Sequence, residues 1–162
     1  LLLPEIIKTS KGTATLEERI KYNAVDATNG NPLEVQQKDG MKISYIWGYN
    51  KTQPVAKLEN IAYSSIPSTL ITAIQNATDS TTGTEAQIIT ALNALRTSAD
   101  ANLQKAMITT FTYKPLIGVS TITDPKGQIT TYEYDSFGRL ERVKDHQGNI
   151  LSENEYHYRT QN

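Results

Sequence analysis

The chain has 162 residues, a formal net charge of −1 from 16 Lys plus Arg against 17 Asp plus Glu, and no cysteine. Its length suffices to bury a real core, and the balanced charge, with no run of five like charges, argues against a nucleic-acid partner or an anionic-membrane surface. The lack of cysteine excludes disulfides, a thiolate nucleophile and a cysteine-based zinc site.

The chain opens on Leu-Leu-Leu-Pro-Glu. There is no basic stretch followed by a long apolar run, so neither a signal peptide nor membrane insertion is predicted. A start without Met leads to the expectation of a piece cut from a longer polypeptide. Residues 1–64 read as β-hairpins. Ser10 to Gly12 form a turn, and from Thr13 the side chains alternate. Thr13, Thr15, Glu17, Arg19 and Lys21 share one face, and Ala14, Leu16, Ile20 and Tyr22 share the other, which Glu18 interrupts. Asp26 to Pro32 is a dense turn signal containing Asn29-Gly30. The short strand Leu33 to Gln37 leads to a tight turn at Asp39-Gly40, and a strand follows with Met41, Ile43, Tyr45, Trp47 and Tyr49 on one face. Pro54 to Tyr63 is a further strand candidate.

Residues 65–104 change period. Ile66, Leu70, Ile71, Ile74 and Ala77 make one helical stripe, with Pro67 in the first turn. After a polar loop, Thr84 and Gln87 form a capping-box pattern ahead of Ile88, Leu92 and Leu95. This predicts a helical hairpin inserted between strand zones. Residues 105–162 return to period two. Met107 to Lys114 is rich in β-branched and aromatic residues. Asp124 to Gly127 and Asp145 to Gly148 are Asp-x-x-Gly turns, in which Asp accepts hydrogen bonds from its own loop and Gly permits positive φ. Between and after them lie strands at 128–135, 140–144 and 149–159.

Gly30 and Gly40 stand ten residues apart, as do Gly138 and Gly148, with Val35 and Val143 halfway. Tyr45 and Trp47 follow Gly40 at +5 and +7, and Tyr132 and Tyr134 follow Gly127 at the same offsets. Tyr156 and Tyr158 follow Gly148 three residues late. Each unit reads as turn, strand ending in an aromatic pair, turn, shorter strand: a repeated β-hairpin. The expected fold is α+β, mainly an antiparallel β-meander of hairpin repeats with an inserted helical hairpin, in a single domain over 1–162.

Gly127, Tyr132, Tyr134-Asp135, Gly138-Arg139-Leu140, Val143, Asp145 and Gly148-Asn149 together resemble the YD repeat of bacterial Rhs-type proteins. The stretch 22–40 is a looser copy, and the helical insert and the start of the chain lie outside the resemblance. The resemblance implies a long, exported or cell-surface β-repeat chain. In some such proteins the repeats coil into a shell around a C-terminal toxin, and in others adhesion or carbohydrate binding is suggested. Here the repeat runs almost to the last residue, which leads to the expectation of a C-terminal fragment of a large extracellular or surface protein. Its expected role is non-enzymatic: capping or completing the repeat body, with upstream repeats as partners and self-association through exposed β-edges.

Three other chemistries set the alternatives. Tyr45, Trp47, Tyr49, Tyr132, Tyr134, Tyr156 and Tyr158 form either a cross-strand ladder that seals the sheet or a platform for glycans. Asp124, Asp135 and Asp145 could serve acid–base chemistry or calcium, but two of them head Asp-x-x-Gly turns, which explains them structurally, and no EF-hand spacing accompanies them. A hydrolase would need His146 or His157 beside a carboxylate such as Asp145, but no Gly-x-Ser-x-Gly elbow, phosphate loop or HExxH motif is present. No cofactor or metal is expected.

Overall fold

The computed structural model describes residues 3–157. The chain divides into two compact units, Leu1–Thr109 and Thr110–Asn162. In the first, β1 (Ile6–Thr9), β2 (Glu17–Val25), β3 (Pro32–Gln37), β4 (Lys42–Gly48) and β5 (Gln53–Glu59) form an antiparallel meander in chain order. Helices α1 (Ser68–Asp79) and α2 (Glu85–Thr97) follow. The chain passes into the second unit within β6 (Met107–Lys114). There β6, β7 (Gly118–Thr123), β8 (Ile129–Tyr134), β9 (Leu140–Lys144) and β10 (Ile150–Glu153) make a second antiparallel meander. The architecture is α+β, mainly β-hairpin repeats with an inserted helical pair.

The core of the first unit sits between one face of its meander and the helices. Register places Glu34 opposite Ser44 and Ser44 opposite Leu58, with Ile46 opposite Ala56. Ser44, Ile46, Ala56 and Leu58 are fully buried, as are Ile74 of α1 and Leu95 of α2. Each such aliphatic contributes on the order of 1.5–3 kcal/mol when taken from water. Helix α1 packs on β4, and Gly48 sets how closely. A Cβ added there would lie 2.9 Å from Cβ of Thr78 and nearer still to its hydroxyl oxygen. The Thr78 hydroxyl donates back to the Ile74 carbonyl at 3.0 Å, which holds it in that place.

The helical insert follows its sequence signals. The Gln87 N–H donates to the Thr84 hydroxyl, and the Thr84 N–H donates to Gln87 Oε1 at 2.8 Å, completing the capping box. Pro67 stands one residue before α1, as its N-cap, rather than inside the first turn. Ile66, Ile74, Ile88, Leu92 and Leu95 are buried, while Leu70, Ile71 and Ala77 of the expected stripe are half-buried.

The strands differ from expectation in five places, the first being the closing strand: expected over 149–159, it ends at Glu153. Strand β2 begins at Glu17, not Thr13, and its Glu18 interruption marks a bulge. Ile7 faces Ile20 while Lys8 faces Glu18, leaving Arg19 as the extra residue. Strands β1 and β7 had no clear alternation, and both are present. The loop around Asn29-Gly30 is longer than a two-residue turn: the Asp26 N–H reaches the Asn31 carbonyl at 2.8 Å. Tyr49 leaves the β4 face altogether. With Asn50 and Lys51 it forms a run of three left-handed residues, φ 51°, 55° and 60°. Such backbone is costly outside glycine. Side chains hold it: Asp79 accepts from the Asn50 N–H at 2.7 Å, and Asn31 Nδ2 donates to the Lys51 carbonyl at 2.7 Å.

Gly48→Ala should destabilise the fold by about 1–3 kcal/mol, the usual cost of forcing volume into a packed contact. Urea denaturation checks it, and adding Thr78→Ala should restore part of the loss.

Candidate functional site

Three turns of the second unit share one hydrogen-bond pattern. In each, the Asp N–H donates to the carbonyl four residues on, and the Gly N–H donates to the Asp carbonyl. The pairs are Asp124 with Gln128 and Gly127, Asp135 with Arg139 and Gly138, and Asp145 with Asn149 and Gly148. In each, the Asp Oδ1 also accepts the N–H groups two and four residues on, at 2.8–3.0 Å. The three glycines have φ of 83°, 77° and 86°, where a side chain would be strained. One carboxylate thus satisfies two backbone donors that strand pairing leaves over, and fixes where each strand restarts.

The first unit holds two variants. Gly30 donates to the Asp26 carbonyl in a loop one residue longer, and Gly40 donates to the Gln37 carbonyl in a turn without the Asp. There Asp39 accepts the Met41 N–H instead.

A second device recurs with the turns. Trp47 Nε1 donates to the Pro32 carbonyl at 2.9 Å, the Tyr134 hydroxyl to Val119 at 2.8 Å, and the Tyr156 hydroxyl to Leu140 at 2.9 Å. In each case the ring belongs to a returning strand or its continuation, and the acceptor lies at the start of the strand before it. Gly118 leaves room for this contact, since a Cβ there would lie 2.7 Å from the Tyr134 hydroxyl oxygen. Of the other aromatic candidates, Tyr45 faces Lys57 and Tyr132 faces Val143 across strand pairs, both half-buried. Tyr49 lies in the left-handed turn, and Tyr158 lies outside the described residues. The structure brings Tyr45 with Trp47, and Tyr132 with Tyr134, onto single strands.

Charge reinforces the turns. Arg139 pairs with Asp135 through Nε at 2.8 Å and stacks on Tyr156 with its guanidinium 4.1 Å from the ring centre. That guanidinium holds the Asp135 carboxyl below its ordinary pKa. The Asn149 amide and the turn N–H groups do the same for Asp145. Asp26 bonds to the Lys51 ammonium at 2.8 Å and to Thr28, which lowers its pKa to about 2. Burial pushes Glu34 upward. The Tyr63 N–H, the Asn23 amide and the Lys42 ammonium together outweigh that and hold it low.

The histidines sit apart from these devices. His146 occupies the middle of the Asp145 turn, where the Asp145 carboxylate already serves Gln147 and Asn149. His157 Nε2 lies 3.5 Å from Glu155, both largely exposed. A shallow groove across β2 and β3 is lined by Glu17, Arg19, Lys21, Gln36 and Lys38, with no histidine and no ring. Among the described residues, no group of three or more His, Asp or Glu is placed to hold a metal. The sequence reading missed Val119 and Pro32 as acceptors. The stretch Val119 to Thr123, β-branched at all but Ser120 and set between Gly118 and Asp124, was the strand signal available for the first.

Residues 118–150 match the RHS Repeat family model, covering β7 to the first residue of β10 and all three Asp-x-x-Gly turns. No curated protein matches the chain.

Two outcomes follow from these contacts. Tyr134→Phe removes the donor to Val119 and should cost about 1 kcal/mol in chemical denaturation. Acid should destabilise the fold in a defined window. Asp26, Asp135 and Asp145 have folded pKa values below the unfolded value of roughly 3.9, so their stabilisation is complete above that pH. It is lost as pH falls through about 4 toward the folded value, about 2 for Asp26. The melting temperature should therefore hold from pH 7 to about 5 and drop below about 4. Asp26→Asn should flatten part of the drop.

Proposed function

From the RHS repeat carried at residues 118–150, we propose that this chain is a non-enzymatic structural and interaction domain. It completes the β-repeat body of a large exported or cell-surface protein. The observation that carries this reading is the recurrence of one turn three times in one meander, each time with the same donors on the same carboxylate. A reaction centre collects distinct groups around one point, whereas here the same groups are spread at regular intervals along the sheet.

The polar atoms of the candidate residues support it. The indole N–H of Trp47 and the hydroxyls of Tyr134 and Tyr156 are spent on backbone carbonyls, so those groups serve strand register before any glycan. Both meander ends suit pairing with further repeats of the polypeptide. All four β10 residues are exposed, Ile150 and Leu151 among them, and β1 exposes Ile7. No residue of β10 is Lys or Pro, the usual protection of a strand edge. No described helix is long and apolar enough to cross a membrane.

The test is an in-frame duplication. Gly127 and Gly148 bracket one two-strand period, so a second copy of residues 128–148 inserted after Gly148 restores a Gln behind the Asp145 turn. A repeat body should accept it, with increased strand signal in circular dichroism and a melting temperature equal to or above that of the parent chain. An insert that stays unfolded and lowers the melting temperature would show a closed, self-limited module instead.

A further inference from the structure

We infer that Leu116, Ile117 and Phe137, at one end of the second unit's sheet, form a docking surface for a second copy of this chain. The turn between β6 and β7 runs Lys114-Pro115-Leu116-Ile117, closed by the Ile117 N–H on the Lys114 carbonyl at 3.1 Å. The turn between β8 and β9 lies against it, since a Cβ on Gly138 would touch Ile117 at 3.7 Å. Leu116 is fully exposed, Phe137 is 75% exposed and Ile117 47%. Tyr156, at 42%, continues the strip across Arg139.

Both turns carry large apolar side chains where small or polar residues are usual. Leu116 has φ 62°, at a turn position that favours Gly or Asn, so strained backbone carries an apolar group into water. Phe137 stands just before the turn glycine. The same place in the other five turns with a left-handed glycine holds Lys11, Asn29, Asp39, Lys126 and Gln147, all polar. Exposed apolar clusters rimmed by polar residues mark interaction surfaces.

Electrostatics favours a second copy as the occupant. The cations beside the strip are engaged within the chain: Arg139 by Asp135, and Lys114 over the Tyr134 ring, 5.6 Å from its centre. The surface is therefore apolar and electrically closed, and two copies related by a two-fold axis would bury no unmatched charge. A net charge of −1 offers little repulsion between chains. A strip of a few hundred Å², doubled, reaches the lower end of specific interfaces, so the pair is weak.

Sedimentation of the full chain over a concentration series up to about 1 mM tests this. The expected result is a mass rising toward twice the monomer's. Leu116→Gly with Phe137→Gln, the latter copying Gln147, should keep the chain monomeric throughout. That variant should melt no lower than the wild type, because glycine relieves the left-handed strain. Leu151→Lys at the β10 edge should leave association intact. A wild type that stays monomeric, or association abolished by the edge variant and not by the turn variant, would overturn the proposal.

Discussion

The structure depends on one economy: a single aspartate carboxylate accepting two backbone N–H groups across a turn closed by a left-handed glycine. A hairpin is specified only if its register is, because a slip of one residue sends every side chain to the opposite face. At Asp124, Asp135 and Asp145 the carboxylate fixes that register locally, through its own loop's N–H groups. The strands that follow inherit their faces from the turn. Thus Tyr132 meets Val143 on one side of the pair, while Glu133 meets Arg142 on the other and bonds Lys144 at 2.6 Å.

The two units spend this specification differently. The first commits one sheet face to a helical hairpin, and it buries aliphatic residues from Ile46 to Leu95 there. The second contains no fully buried residue in β8, β9 or β10. Hydrophobic burial cannot be the chief discriminator where both faces stay half-wet. Cross-strand pairs, the ring-to-carbonyl bonds and the turn carboxylates must choose the register instead, each contributing on the order of a kcal/mol or less. This explains why the repeat motif is so strictly typed in the second unit and looser in the first. Where a core enforces the face, Gln37 can replace the turn aspartate, as before Gly40, or the loop can lengthen, as after Asp26.

What the sequence revealed follows the same division. Periodic signals with local causes were legible: the capping box at Thr84 and Gln87, the buried stripe through Ile74 and Leu92, and the Asp-x-x-Gly turns. Features set by tertiary contact were not. Nothing local marks Tyr49 as the start of a left-handed run, because Asp79 and Asn31, distant in the chain, hold that backbone. Strand β1 lacks alternation and exists because β2 pairs with it through a bulge at Arg19. The aromatic spacing was read correctly as a repeat, but the partners of the rings were backbone carbonyls, which carry no residue-type signature.

The polar atoms of the aromatic residues show what the rings do within the sheet. Trp47, Tyr134 and Tyr156 donate their side-chain N–H or O–H to Pro32, Val119 and Leu140, as a cross-strand ladder requires. Burial raises the Tyr134 phenol's pKa, which keeps it in the donating form. Gly118 is shaped around that hydroxyl. A ring so placed ties the end of one strand to the start of its neighbour, which the turn at the opposite end of the hairpin cannot reach. Turn and ring therefore close the two ends of the same strand pair, and a chain that repeats both can add hairpins without needing a new core for each.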